Sequence, residues 1–149
     1  PLVTRGSRDF FMYSIGELSK RTKVKVPTIR YYEEMGLMAQ AERTDGNQRR
    51  YDNAGLERLS FIRHARDLGF SIEAISSLIE LQEHPDRSCE AATNIAVPQL
   101  ADVRAKIKRL KTLEKELARI SKACDGDGIS GDCYVLEALA DHGLCDREH

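Results

Sequence analysis

The chain has 149 residues, 41% of them hydrophobic and 32% charged, which is about one domain's worth of core. No apolar run approaches the ~18 residues of a membrane span, and no 7–15-residue apolar leader core opens the chain, so a soluble, folded, cytoplasmic protein is expected. The net charge of −1 hides an asymmetry: residues 1–66 carry 13 Lys/Arg against 8 Asp/Glu, while residues 67–149 carry 10 against 16. A basic first half suggests that this half meets a polyanion.

Residues 1–11 (PLVTRGSRDFF) read as an appended linker, with Met12 as the expected natural start. Ile15 and Leu18 stand at helical spacing, and Ser14 with Glu17 three residues later is a capping-box pattern. The pattern breaks at Lys25-Val26-Pro27, and Pro27 suits the first turn of a second helix, where its missing N–H costs nothing. That helix is expected to end at Gly36, with Ile29 and Met35 inward and Thr28, Arg30 and Tyr31 outward. Two short helices joined by a tight turn make a helix-turn-helix. Arg and Tyr on its second helix can reach bases or phosphates in a major groove.

The segment RTDGNQRRYD holds a turn signal, Asp45-Gly46-Asn47, between polar arms, and predicts a small wing. Its Arg43, Arg49, Arg50 and Tyr51 suit phosphate contacts that fix register. A third helix is expected over 54–68 with Leu56, Leu59, Ile62 and Ala65 on one face. A fourth follows, capped by Ser71, with Ile72, Ile75, Leu78 and Ile79 inward.

A long helix is predicted over about 89–123. Leu100, Val103, Ile107, Leu110, Leu113, Leu117 and Ile120 alternate at three- and four-residue steps, the pattern of a coiled coil. Pro98 marks a kink or the start of the seam. From 99 to 122 the helix spans roughly 36 Å. A narrow stripe flanked by charge needs a like partner, so a homodimer is expected. A short last helix over 134–140 precedes a polar tail. The division expected is 12–83 for DNA binding, 84–123 for dimerisation and 124–149 for a terminal loop, helix and tail, all mainly α.

Four cysteines without a secretion signal point to metal binding or thiol reactivity rather than disulfides. Cys124 and Cys133 close a loop rich in Gly and Asp, and Cys89 lies ahead of the long helix. A thiolate pair there is a candidate soft-metal clamp, and Cys89 can join it only from an antiparallel second copy. No Gly-rich phosphate loop, nucleophile elbow or catalytic Cys/His spacing is present, so no enzyme is expected. His64 and His84 read as structural or surface residues rather than ligands.

The segments Tyr13-Ser-Ile-Gly-Glu-Leu-Ser, Thr28-Ile-Arg-Tyr-Tyr-Glu-Glu-Met-Gly-Leu37, Arg49-Arg-Tyr51 and Phe61-Ile-Arg-His-Ala-Arg-Asp-Leu-Gly-Phe70 closely resemble the MerR family of transcriptional regulators. The resemblance covers residues 12–139. It implies a winged helix-turn-helix dimer joined by an antiparallel coiled coil. It also implies binding to double-stranded promoter DNA with over-long element spacing, and distortion of that DNA so that RNA polymerase engages both elements.

By the same resemblance, Cys89 of one protomer meets Cys124 and Cys133 of the other at a metal. Copper(I) sensors of the family carry serine in place of Cys89, and a third thiolate around a monovalent ion leaves excess buried negative charge. A divalent ion is therefore expected. The run 132–139 and the late Cys145 resemble the zinc-responsive branch, with Cd, Pb and Hg as alternatives. Zinc prefers four ligands, and water, Cys145, His142 or His149 are candidates for the fourth. A regulator using the same cysteines as redox- or electrophile-reactive thiols is the second reading.

Overall fold

The computed structural model describes residues 12–43, 46, 49–123 and 128–141. Two compact units divide the chain, 1–95 and 96–149.

The first unit opens with α1 (Ile15–Thr22). Ser14 caps it by accepting the Glu17 N–H at 3.1 Å. Only half of the capping box forms, because the Glu17 carboxylate accepts the Ser14 hydroxyl at 3.2 Å and lies 4.0 Å from Arg50. The helix ends at Lys23, which takes the left-handed conformation at φ 59°. The Thr22 hydroxyl donates back to the Leu18 carbonyl at 2.7 Å and accepts the Val24 N–H at 3.3 Å, which closes the tight turn. Helix α2 (Val26–Glu34) follows, with Pro27 in its first turn, and Gly36 supplies φ 74° where the chain leaves it.

The wing is a two-stranded antiparallel ribbon, β1 (Glu42–Arg43) and β2 (Arg49–Arg50), in which Glu42 pairs with Arg50 and Arg43 with Arg49. Of its expected turn, Asp45 and Asn47 lie outside the described residues. Tyr13 and Tyr51 add a bridge of two backbone hydrogen bonds, 2.7 and 2.8 Å, that ties the start of the domain to the root of the wing.

Helices α3 (Asn53–Asp67) and α4 (Ile72–Gln82) complete the unit, capped by Asp52 and Ser71. Leu18, Ile29, Leu59, Ile62 and Ile75 are fully buried, and Leu56 and Ile72 pack partly buried against this core. The predicted stripes of both helices thus face inward. Met35 does not: it is 51% exposed, and Leu37 and Met38 fill the space instead. Met35 falls on the helix end, where the chain turns at Gly36 and carries it away from the core. Two arginines brace the domain rather than face solvent. Arg58 donates to the Leu37 carbonyl at 3.2 Å and to Glu83 at 3.0 Å, and Arg63 donates to the Thr22 carbonyl.

Helix α5 (Glu90–Lys122) is one segment that runs through Pro98 without interruption. Pro98 removes one N–H donor from the ladder of this 33-residue helix. In the second unit Leu100, Ile107, Leu110 and Leu117 are exposed on the single chain, while Ile120 is buried. A 3₁₀ turn, η1 (Ser130–Asp132), leads into α6 (Tyr134–Ala140). Arg119 holds the end of α5 to α6: it donates to the Tyr134 hydroxyl at 2.8 Å and makes a two-pronged pair with the buried Glu116. Among the described residues, no helix is long and apolar enough to cross a membrane.

Candidate nucleic-acid interface and metal centre

Burial of Ile29 and Tyr32 turns one side of α2 into the core. At 3.6 residues per turn this leaves Arg30 and Tyr31 on the opposite side, both exposed, with Thr28 half-buried between the faces. The Tyr31 ring leans on Tyr32 at a centroid distance of 6.0 Å, which orders it without hiding it. Arg30 and Arg43 line one cleft of about 240 Å³ together with Glu34 and Gln40. The second helix and the wing therefore present cations to one surface. Arg50 keeps 30% of its side chain exposed. The side chain of Arg49 lies outside the described residues.

Tyr51 departs from the expected surface role. It is only 3% exposed, and its hydroxyl donates to Glu33, which is itself buried. The pair joins the inner side of α2 to the end of the wing. The sequence reading grouped Tyr51 with Arg43, Arg49 and Arg50 as phosphate contacts. The backbone bridge to Tyr13 and the bond to Glu33 instead seat the ring at the root of the wing, inside the core. Tyr51→Phe is expected to lower the unfolding free energy by about 1–3 kcal/mol, because it strands a buried carboxylate. Adding Glu33→Gln should restore part of that loss, as measured by urea denaturation of the single and double variants.

The thiols occupy two different settings. Cys89 is exposed just before α5, and its carbonyl accepts the Thr93 N–H at 3.0 Å. Cys133 is half-buried at the start of α6, where its N–H donates to the Ser130 carbonyl at 3.3 Å and its carbonyl accepts the Glu137 N–H at 3.1 Å. Cys124, His142, Cys145 and His149 lie outside the described residues. Among the described residues of the single chain, no three ligating side chains gather. The donor chemistry nonetheless fits a soft divalent ion, since thiolate sulfur is what such ions select.

Known proteins agree with this architecture. Residues 13–82 match the model of the MerR HTH family regulatory protein, and residues 56–120 match that of the MerR DNA-binding segment. This chain belongs to the MerR family. It is 42% identical to the HTH-type transcriptional regulator ZntR of Escherichia coli K12 over 130 residues, 86% of this chain and 92% of that protein. It is 37% identical to the transcriptional regulator HmrR of Sinorhizobium medicae, over 87% of this chain and 88% of that one. The crystal structure of PbrR691 from Ralstonia metallidurans in complex with lead(II) superposes with a TM-score of 0.69 at 36% identity, covering 85% of this chain and 98% of that one. MerR proteins are helix-turn-helix transcriptional regulators, not enzymes, and the exposed Arg30 and Tyr31 stand on the second helix of that motif.

Proposed function

We propose that the protein is a cytoplasmic, dimeric, metal-responsive activator of transcription, with zinc as the inducer and metal efflux as the controlled function. One observation above the others supports this: a chain that presents Arg30 and Tyr31 on a helix-turn-helix also carries cysteines before and after its long helix. Arg30, Tyr31 and Thr28 read the major groove, while Arg43, Arg49 and Arg50 hold phosphates on either side of it. Two copies join along the exposed stripe of α5. Cys89 of one copy and Cys124 and Cys133 of the other bind the metal, which when bound supplies a positive charge that gathers three thiolates. That gathering biases the two DNA-binding domains toward the geometry in which the promoter is bent for RNA polymerase. Lead(II), in the complex of the 36%-identical regulator, keeps lead alongside cadmium and mercury as alternative inducers. The exposure of Cys89 favours one rival, a thiol-reactive sensor on the same scaffold.

The test is binding to promoter duplexes captured from the genome by the purified protein, read by fluorescence anisotropy across a salt series. Arg30→Ala is expected to weaken binding by about 1–3 kcal/mol if it reads a base, and to flatten the salt slope by about one if it holds a phosphate. Zinc should raise transcript yield from the same duplexes in a purified system. Binding that ignores Arg30→Ala would remove α2 from the interface. Transcript yield that responds to an electrophile and to no metal would favour the rival.

A further inference from the structure

We infer that Arg58 is a positioning residue for the regulatory response: it couples the connection into α5 to the connection between α2 and the wing, so that a change at the start of α5 reaches the DNA-reading surface. This rests on the proposal that a bound metal biases the geometry of the DNA-binding domains, and it names the side chain that carries the bias within one domain.

Two connections matter. Residues 35–41 lead from α2 to β1, and residues 83–89 lead from α4 to α5. Helix α5 begins inside the first unit and runs on as one helix into the second. A signal that arrives along α5 therefore enters the DNA-binding unit through residues 83–89. That connection is internally bonded. The His84 N–H donates to the Leu81 carbonyl at 3.1 Å, and the Arg87 N–H donates to the His84 carbonyl at 3.0 Å. The Arg87 guanidinium also pairs with Glu80 at 3.3 Å. A displacement at its far end is thus carried to Glu83 and not lost in the loop.

Arg58 stands on α3 and is bonded to both connections. One arm of its guanidinium donates to the Leu37 carbonyl at 3.2 Å, and the other donates to the Glu83 carboxylate at 3.0 Å. Leu37 is buried in the core, so its carbonyl is a fixed anchor. Met38, Ala41, Glu42 and Arg50 line one cavity of about 390 Å³ together with Arg58 and Glu83. Open space therefore lies between the base of the wing and the end of α4, and the guanidinium is held at both. A planar fork fixes two acceptors in set directions, which a single ammonium does not. Folding alone gives little reason for the Glu83 arm: that carboxylate is 56% exposed, and such surface pairs contribute little to stability. What the arm fixes is the placement of one connection relative to the other.

The experiment uses the full-length dimer on the captured promoter duplex, with zinc and with lead(II) as probes. Three quantities are read: the thermal midpoint, the duplex affinity, and the ratio of transcript yield with and without metal at saturating protein. The variants are Arg58→Gln, Glu83→Gln, the double variant, and Arg63→Gln, which removes a brace to the Thr22 carbonyl in the same unit. Whichever ion induces the wild type is used throughout. Arg58→Gln should lower the induction ratio by roughly 2–30-fold, the size of change produced by coupling residues that touch neither ligand, with the duplex still bound. Glu83→Gln should lower it in the same direction at an unchanged thermal midpoint. The double variant should be no worse than Arg58→Gln alone, because the two side chains act as one unit. Arg63→Gln should lower the midpoint and keep the ratio. An unchanged ratio in Arg58→Gln, an equal loss in Arg63→Gln, or fully additive losses in the double variant would overturn the assignment and leave the metal reading standing. If Arg58→Gln does not fold, Glu83→Gln decides, and an unchanged ratio there overturns it. A wild type induced by neither ion would sink the metal reading and this inference with it.

Discussion

Cys89→Ser should abolish the metal response while the variant still folds and still occupies its promoter. Cys89 is exposed and sits outside the hydrophobic core, so its loss removes no packing. On the proposed site it removes one of three soft donors, and zinc affinity should drop by about 10²-fold or more, since loss of an outer-shell partner alone costs 10–100-fold. Cys133→Ser should do the same to affinity and also disturb the start of α6, where Cys133 is half-buried. The decisive form of the measurement is a mixed dimer. One chain carries Cys89→Ser and the other carries Cys124→Ser with Cys133→Ser. That pairing keeps one full set, Cys89 from the second chain with Cys124 and Cys133 from the first, and should bind half the wild-type zinc. A mixed dimer that binds none would rule out a site shared between subunits.

The second large effect lies in the seam. Leu110 and Leu117 are 63% and 61% exposed on the single chain, one turn-pair apart on a helix whose other faces are charged. Full burial of a leucine contributes about 1.5–3 kcal/mol. Two leucines on each of two chains therefore contribute about 6 kcal/mol or more, roughly 10⁴-fold in dimer dissociation. Leu110→Asp with Leu117→Asp should yield a monomer by sedimentation at micromolar concentration, with the thermal transition of the DNA-binding unit preserved. Promoter affinity should fall with it, because two half-sites would no longer be bound as one. Retention of the dimer would place the contact elsewhere on the chain.

Much of this architecture could be read from periodicity and caps. Ser14 and Ser71 each accept an N–H three residues on, and the inward stripes of α3 and α4 fall where 3.6-residue spacing puts them. What escaped the sequence was governed by three-dimensional partners. Met35 shares the helical face of an inward residue, yet the chain turns at Gly36 and takes it to the surface. Arg58 and Arg63 count toward a basic half but are used as braces to the Leu37 and Thr22 carbonyls. Tyr51 follows two arginines, yet its hydroxyl is held by a carboxylate 18 positions earlier. The contact between Arg119 and Tyr134 likewise joins positions whose spacing carries no signal.

The bridge between Tyr13 and Tyr51 has a mechanical side. Two backbone hydrogen bonds fix Tyr13 to the base of the ribbon, and the Tyr51 hydroxyl reaches Glu33 on α2. The root of the wing is thereby fastened both to the lead-in of α1 and to the second helix, so a push on the ribbon is passed to the helix-turn-helix instead of being absorbed by a hinge.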